Sequence, residues 1–169
     1  IKALPLLRPK KTKEFLIFGS YSYCGDVFLH RKEMLNHGKK MISSLLKKDE
    51  LKTGKQKIWA NAARFFLKQE QKNLISPMAV EIIKNLKEYS TFNKMLDLGC
   101  SSGIIGLEIT KNHPNLKTTL FDYQEVTNIA KEHIKEYNLE DRVSVLSGDI
   151  EENDIGKNYD LIWCSNIFY

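Results

Sequence analysis

The sequence predicts an α/β fold built on a partial parallel sheet of about four strands. In the second half of the chain, four short apolar segments alternate with segments whose apolar residues recur at helical spacing. Strands that alternate with helices form right-handed βαβ units, and such units give a parallel sheet. The expected architecture is therefore Rossmann-like, preceded by a mainly helical N-terminal segment.

Each predicted element of the second half has a local signal. The first helix ends at His113-Pro114, because proline cannot continue a helix, and the second ends at Asn138, which tolerates the left-handed conformation of a cap. The predicted strands are Met95 to Leu98, Leu116 to Phe121, Arg142 to Leu146 and Tyr159 to Cys164. The predicted helices are Ile104 to Lys111 and Glu125 to Tyr137, the latter with Val126, Ile129, Ala130, His133 and Ile134 facing inward.

The first half is expected to be mainly helical. Apolar residues recur at helical spacing between Ile58 and Gln69, and Ser76-Pro77 indicates a helix start, with a hydroxyl at the N-cap and proline in the first turn. Residues 1–57 show no recognisable chemistry and are expected to end in a linker around Gly54. The helix after Pro77 is expected to bury one apolar face, formed by Met78, Ile82, Ile83, Leu86 and Tyr89.

Charge and cysteine content limit the possible partners of this 169-residue chain. Residues 1–90 carry 19 Lys and Arg against 8 Asp and Glu, whereas residues 91–169 carry 7 against 13. We interpret the basic residues as a solvated face, so no nucleic-acid partner is expected, although a polyanion surface is the alternative. The sequence has no apolar run of 18 residues, and Ile1 to Leu7 is too short for a signal peptide, so neither a signal peptide nor a membrane partner is expected. Three widely spaced cysteines without a CxxC pair favour a reducing cytoplasm and indicate neither disulfides nor a metal site.

Acidic and small polar residues follow the ends of the predicted strands. The first strand ends in Asp97 and a tight loop from Gly99 to Gly103, the second in Asp122, the third in Asp149 and the fourth in Ser165. In an open parallel sheet, ligands bind beyond the carboxyl ends of the strands, where the strand order reverses. We therefore expect these residues to form one wall of one site.

The spacing of the acids indicates a nucleoside. Asp122 follows the glycine loop by 19 residues, at the strand end where a carboxylate accepts hydrogen bonds from both hydroxyls of a ribose. Asp149 is suitably placed to accept from an exocyclic amine such as that of adenine, and Ile150 offers an apolar face to the ring. The sequence therefore favours an adenosine-bearing ligand.

Two other motifs fit the glycine loop less well. Residues 99–103 match the GxSxG nucleophile elbow of α/β-hydrolases, but that assignment leaves Asp122 and Asp149 unexplained. A dinucleotide fingerprint would need glycines where Ser101 and Ile104 stand, so the loop lacks the open helix N-terminus that cradles a pyrophosphate. A cofactor with a ribose and adenine but without phosphates fits better.

These motifs resemble those of class I S-adenosylmethionine-dependent methyltransferases. Residues 95–103, Met-Leu-Asp-Leu-Gly-Cys-Ser-Ser-Gly, are similar to their motif I, with Ser101 in place of the usual middle glycine. Residues 113–117 and 121–126 resemble the small-molecule O-methyltransferases related to caffeate and hydroxyindole methyltransferases. Residues 51–55 resemble the segment that joins the N-terminal dimerisation domain of these enzymes to their catalytic domain.

The resemblance implies S-adenosylmethionine-dependent methyl transfer to a small molecule, with a hydroxyl group as the expected acceptor. It implies that residues 1–57 are the remnant of a dimerisation, winged-helix-like region and that residues 58–169 are an incomplete catalytic domain. A homodimer is then expected for the full-length protein. The residues it assigns to the cofactor are Asp97, Gly99, Ser101, Gly103, Asp122, Tyr123, Asp149, Ile150, Ser165 and Ser76.

The chain departs from the family pattern at two points. The family's fourth strand runs into Asn-Ile-Leu-His, whose histidine deprotonates the substrate, whereas this chain has Tyr169 at the last position. Tyrosine, with a reference pKa of about 10, is a poor base at neutral pH. The fifth to seventh strands of the family have no counterpart, so a fragment is expected. Transfer to carbon or nitrogen, and a non-catalytic adenosyl-binding or dimerisation module, stay open as alternatives.

Overall fold

The structure is a computed structural model that describes residues 60–165 and 167, together with residues 23–27, 29, 31, 32, 35 and 36. The chain divides into two compact units, Ile1–Thr53 and Gly54–Tyr169. In the first unit, residues 25–27, 29, 31, 32, 35 and 36 are helical, and Cys24 and Val27 are buried. The predicted linker around Gly54 lies outside the described residues. The remaining description concerns the second unit.

A four-stranded parallel sheet forms the centre of this unit, as the sequence predicts. The strands are β1 (Lys94–Leu98), β2 (Lys117–Asp122), β3 (Val143–Ser147) and β4 (Leu161–Cys164). Their spatial order is β3-β2-β1-β4, and all three pairings are parallel. The strand order therefore reverses beside β1, which places the ligand-binding crevice at the carboxyl ends of β1 and β4.

Three α-helices pack against the sheet: α1 (Ser76–Lys84), α2 (Ile104–Asn112) and α3 (Gln124–Tyr137). The predicted inward face of α3 is confirmed, because all five of its residues are buried. The cap at Asn138 is also confirmed, with a φ of 54° in the left-handed region. Six of the nine residues of α2 are buried, so this helix lies inside the unit.

Two apolar clusters fix the position of α2. Ile105 and Ile109 belong to the cluster that α1 forms with β1, whereas Ile104 and Leu107 pack with Leu120 and with residues of α3. Because α2 is packed on both flanks, the position of its N-terminus and of the preceding loop at the end of β1 is fixed. No helix among the described residues is long and apolar enough to cross a bilayer.

The α-helix α1 begins at Ser76 with Pro77 in its first turn, as predicted, but the predicted role of Ser76 as N-cap is wrong. Residues 60–75, called here the leading helix, run directly into α1, and Ile75 before Ser76 is itself helical with no side-chain cap. The leading helix contains two π-helical stretches, Ala63–Leu67 and Gln71–Ile75, separated by Lys68–Glu70. Since the chain arrives as a helix, the hydroxyl of Ser76 has no orphan N–H groups to cap.

The predicted apolar face of α1 is correct in part. Ile83 is buried and Tyr89, which lies beyond α1 in the 3₁₀ turn Tyr89–Thr91, packs partly buried on the same cluster. In contrast, Met78, Ile82 and Leu86 are 54%, 58% and 39% exposed. The buried face consists of Ser76, Ala79 and Ile83. This face has the regular spacing of an α-helix, but two of its three residues are small, so the pattern of large apolar residues does not identify it.

Candidate functional site

The loop between β1 and α2 is held in a tight, left-handed conformation. Gly99, Ser101 and Gly103 have φ angles of 67°, 54° and 75°. The backbone N–H groups of Gly99 and Cys100 both donate to the carbonyl of Phe121, at 2.8 and 3.0 Å. For a residue with a side chain, such as Ser101, the left-handed conformation costs about 1–2 kcal/mol. The surrounding contacts must therefore hold the loop in this shape.

Asp122, at the end of β2, provides one of these contacts. Its Oδ2 accepts the Ser101 N–H at 2.9 Å and its Oδ1 accepts the Tyr123 N–H at 2.8 Å. Burial raises the pKa of this carboxyl, and the two backbone N–H groups oppose that shift. Each carboxylate oxygen has room for a second hydrogen bond. Asp122 is thus oriented toward the loop and can still accept from a ligand.

Asp97, at the end of β1, is 2% exposed and contacts α2. Its Oδ2 accepts the N–H of Gly106 at 3.0 Å, in the first turn of that helix. Burial raises the pKa of Asp97 to about 7, with the charge of Asp122 adding to the effect. The carboxyl therefore joins the end of the strand to the start of the helix, and its role in binding a cofactor stays a prediction.

The ends of β2 and β3 meet around Tyr123 and Asp149. The N–H of Gly148 donates to the carbonyl of Asp122 at 3.0 Å, and Asp149 Oδ1 accepts the Glu151 N–H at 3.0 Å. Burial raises the pKa of Tyr123, and the charge of Asp149 and a hydrogen bond to it contribute. Ile150 is 38% exposed beside them. The two predicted adenosine-binding carboxylates therefore share one neighbourhood, with an accessible apolar side chain next to it.

The remaining predicted site residues differ in how closely other side chains pack around them. A Cβ at Gly103 would lie 2.8 Å from Leu120 Cδ1, so this glycine allows close packing of the loop against the core. A Cβ at Gly99 would lie 2.6 Å from Ile167 Cδ1. Ser165 follows β4 and is half-buried. Tyr169 lies outside the described residues, so its assignment as the residue at the base position stays a prediction.

Two residues that the sequence did not single out for the site also hold the loop. Gln71, in the second π-helical stretch, hydrogen-bonds to Cys100, Ser102 and Ile104. His133 donates from Nδ1 to the carbonyl of Ser102 at 2.7 Å, and burial lowers the pKa of the ring. The helical pattern of α3 predicted that His133 faces inward, but nothing in the local sequence distinguishes Gln71 from a solvated polar residue.

Two buried hydroxyls indicate where a ligand fits. Within the described part of the chain, Ser76 Oγ and Ser101 Oγ are buried and have no hydrogen-bond partner. A buried polar group without a partner costs about 1–3 kcal/mol, which a ligand would recover. The carboxylates of Asp122 and Asp149 can accept hydrogen bonds from hydroxyl and amine groups. Negative charge at the site attracts a cation and repels a pyrophosphate. These residues therefore fit an adenosyl sulfonium cofactor.

The opposite edge of the sheet carries a cavity of different character. It has a volume of about 490 Å³ and is lined by residues at the amino ends of the strands, among them Lys94, Lys117 and Arg142. Glu140 and Asp141 also line it, so two acids offset two of its three cations. Among the described residues, no group of three metal-ligating side chains occurs at either edge.

Known proteins match parts of this chain. An uncharacterised protein of Methanocaldococcus jannaschii is 37% identical over 79 residues, which cover 47% of this chain and 21% of that protein. The malonyl-[acyl-carrier protein] O-methyltransferase of Priestia megaterium is 35% identical over 89 residues, covering 50% of this chain and 31% of that protein. The matched segments thus span less than a third of these relatives.

The fold is also that of solved methyltransferases. An O-methyltransferase family protein from Burkholderia thailandensis superimposes with a TM-score of 0.65 at 20% identity, over 82% of this chain and 42% of that chain. Human N-acetylserotonin methyltransferase, solved in complex with SAM, gives a TM-score of 0.63 at 20% identity, over 89% of this chain and 46% of that chain. The O-methyltransferase domain family matches residues 55–169. The chain therefore belongs to the O-methyltransferase domain family.

Proposed function

We propose that this chain binds S-adenosylmethionine and is part of an enzyme that methylates a hydroxyl group of a small molecule. The observation that carries the proposal is the Asp122 carboxylate, which the N–H groups of Ser101 and Tyr123 orient at the end of β2. A carboxylate at this position, in a crevice where the strand order reverses, is suited to a ribose diol. Membership of the O-methyltransferase domain family supports the reaction.

Most of the predicted residues then have a role in holding the cofactor. Asp122 accepts from the ribose hydroxyls, and Asp149 accepts from the adenine amine while Ile150 covers the ring. The loop from Gly99 to Gly103 lies along the methionine part. The unpartnered hydroxyls of Ser76 and Ser101 hydrogen-bond to polar groups of the ligand.

The protein's contribution to the reaction is alignment and exclusion of water. When bound, S-adenosylmethionine supplies a methyl group on a cationic sulfonium sulfur. The Asp122 carboxylate, which the N–H groups of Ser101 and Tyr123 stabilise in its charged form, places negative charge beside the loop and favours binding of a cation. A hydroxyl acceptor must also lose its proton. By resemblance Tyr169 occupies the position of the family's base, and its reference pKa of about 10 makes it a weak one at neutral pH.

Calorimetric titration with S-adenosylhomocysteine tests the cofactor assignment. We expect Asp122→Asn to weaken binding by about 10- to 100-fold, because hydrogen bonds to a charged group contribute about 1.5–3 kcal/mol. The matched control is Asp141→Asn, which makes the same change at an exposed position of the opposite sheet edge. The assignment fails if the parent chain does not bind, or if both variants bind as tightly as the parent.

A transfer assay with a radiolabelled methyl group tests the reaction. We expect label to appear as an ether on a phenol or another small hydroxyl compound. Label on carbon or nitrogen would redirect the proposal to another acceptor atom. A chain that binds the cofactor and transfers no label across a broad panel would instead support a non-catalytic adenosyl-binding module.

We also propose that residues 1–57 are part of a dimerisation region. The separate compact unit Ile1–Thr53 supports this division, which falls close to the expected boundary. Sedimentation velocity over a range of concentrations tests it with the whole chain. A homodimer that dissociates on dilution agrees with the proposal, whereas a monomer at all concentrations contradicts it.

A further inference from the structure

We propose that Gln71 is a positioning residue that holds residues 100–104 in the conformation that forms the cofactor pocket. The inference rests on the proposed function, since the pocket is the one assigned there to S-adenosylmethionine. It concerns a residue that lies outside the glycine loop and outside the acids at the strand ends. Its side chain comes from a different element, the leading helix, which precedes the sheet in sequence.

All three hydrogen bonds of the Gln71 side chain go to this loop. Its Nε2 donates to the carbonyl of Cys100 at 3.3 Å. Its Oε1 accepts from the hydroxyl of Ser102 and from the N–H of Ile104, the latter at 3.2 Å. Ile104 is the first residue of α2, so its N–H has no partner within the helix. Gln71 therefore satisfies a donor and an acceptor of the loop backbone together with a buried hydroxyl.

Gln71, His133 and Asp122 each hydrogen-bond to this loop. Ser102 is fully buried, with its hydroxyl bonded to Gln71 and its carbonyl bonded to His133. Asp122 holds the N–H of the preceding residue, Ser101. Without Gln71, Asp122 and His133 would be the side chains left to hold the left-handed conformation around Ser101, and the loop could relax toward an extended backbone.

The leading helix is attached so that it can deliver this side chain. Arg64 makes a bidentate pair with Glu132 of α3, at 2.7 and 2.9 Å, and Lys68 pairs with Glu136 at 2.7 Å. These pairs are one helical turn apart on both helices, so the leading helix runs alongside α3 at this point. The π-helical stretch Gln71–Ile75 begins immediately after this attachment. Such turns often occur at functional sites, where they redirect a side chain.

The test uses two variants of the whole chain and two readouts. Gln71→Leu removes every hydrogen bond at similar volume, whereas Gln71→Glu keeps the acceptor for Ser102 and Ile104 and makes the donor to Cys100 dependent on pH. The first readout is the dissociation constant of S-adenosylhomocysteine. The second is hydrogen exchange of the Ile104 amide in the ligand-free protein, which reports on the loop whether or not the ligand binds.

We expect Gln71→Leu to weaken S-adenosylhomocysteine binding and to accelerate Ile104 exchange by about tenfold or more, given the loss of several hydrogen bonds. Gln71→Glu should bind nearly as well as the parent at pH 5.5, where a protonated carboxyl can donate to Cys100. At pH 8 it should bind about tenfold more weakly, because the ionised carboxylate faces a carbonyl and the nearby acids. A purely structural role would not give this pH dependence relative to the parent.

The control is Asn112→Asp, which makes the same change from amide to carboxylate at the other, exposed end of α2. It should bind like the parent at both pH values. Unchanged Ile104 exchange in Gln71→Leu overturns the inference about Gln71, as does a Gln71→Glu affinity that follows the parent at both pH values. If the parent does not bind S-adenosylhomocysteine, the proposed function fails, and Ile104 exchange still decides whether Gln71 holds the loop. If Gln71→Leu does not fold, Gln71→Glu provides both readouts.

Discussion

Replacing Asp97 by asparagine should stabilise the ligand-free protein, and more so as the pH rises. The side chain is 2% exposed at the end of β1, and burial raises its pKa from 3.8 to about 7. Asparagine has nearly the same shape and keeps an oxygen that accepts the Gly106 N–H. The substitution therefore removes a buried charge and leaves the contact with α2 in place.

The size of the effect follows from the two pKa values. Between pH 4 and 7 the folded protein keeps the Asp97 proton and the unfolded chain releases it, so stability falls as the pH rises. At 1.36 kcal/mol per pKa unit, a rise in the pKa of Asp97 from 3.8 to about 7 lowers the free energy of unfolding by about 4 kcal/mol above pH 7. At pH 5 part of this penalty is already present. We therefore expect Asp97→Asn to stabilise by about 2–3 kcal/mol more at pH 8 than at pH 5.

Urea denaturation of the parent and the variant at pH 5 and pH 8 measures this difference. The control is Asp160→Asn, because Asp160 accepts the N–H groups of Asn93 and Lys94, which lower its pKa. The Asp160 carboxylate stabilises the fold once the pH exceeds the pKa that this group has in the unfolded chain. Its replacement should therefore destabilise the protein equally at pH 5 and pH 8. If Asp97→Asn is less stable than the parent at pH 8, or if its stability differs from that of the parent by the same amount at both pH values, the pKa of Asp97 is not raised in the folded protein.

Three further variants test the loop and its supports. Ser101→Gly should raise the free energy of unfolding by about 1 kcal/mol, because it relieves a left-handed serine, while binding of S-adenosylhomocysteine weakens through loss of the hydroxyl. Gly106→Ala should destabilise by about 1–2 kcal/mol in urea denaturation, because the new Cβ would lie 2.6 Å from the buried Leu120 side chain. A double-mutant cycle on Arg64 and Glu132 should give a small coupling in stability that disappears in 1 M salt, since both side chains are about half exposed.

The sheet and the helices that follow its strands could be predicted because their signals are local. Each strand is a short apolar segment, and α3 buries the five residues that its helical period indicates. The acids at the strand ends also follow from sequence, because parallel strands bring their carboxyl ends to one edge. The order β3-β2-β1-β4 then places Asp97 and Asp122 on adjacent strands.

The leading helix shows where local reasoning fails. Ser76-Pro77 is a good helix-start signal, but the chain already enters that position as a helix, so tertiary context overrides the capping preference. Met78 and Ile82 are exposed because α1 packs through Ser76, Ala79 and Ile83, a face that large apolar residues do not mark. Gln71 was missed because its partners lie 29 to 33 residues away, and no periodic pattern encodes such a contact.

The proposed function depends above all on the Asp122 carboxylate, which we expect to bind the ribose of an adenosyl cofactor. A crystal structure of the chain with S-adenosylhomocysteine would show this contact. We expect both ribose hydroxyls within hydrogen-bond distance of Asp122, with the Ser101 N–H still bonded to the same carboxylate. A ligand bound elsewhere, or a ribose that makes no contact with Asp122, would contradict the assignment of Asp122 to the cofactor ribose.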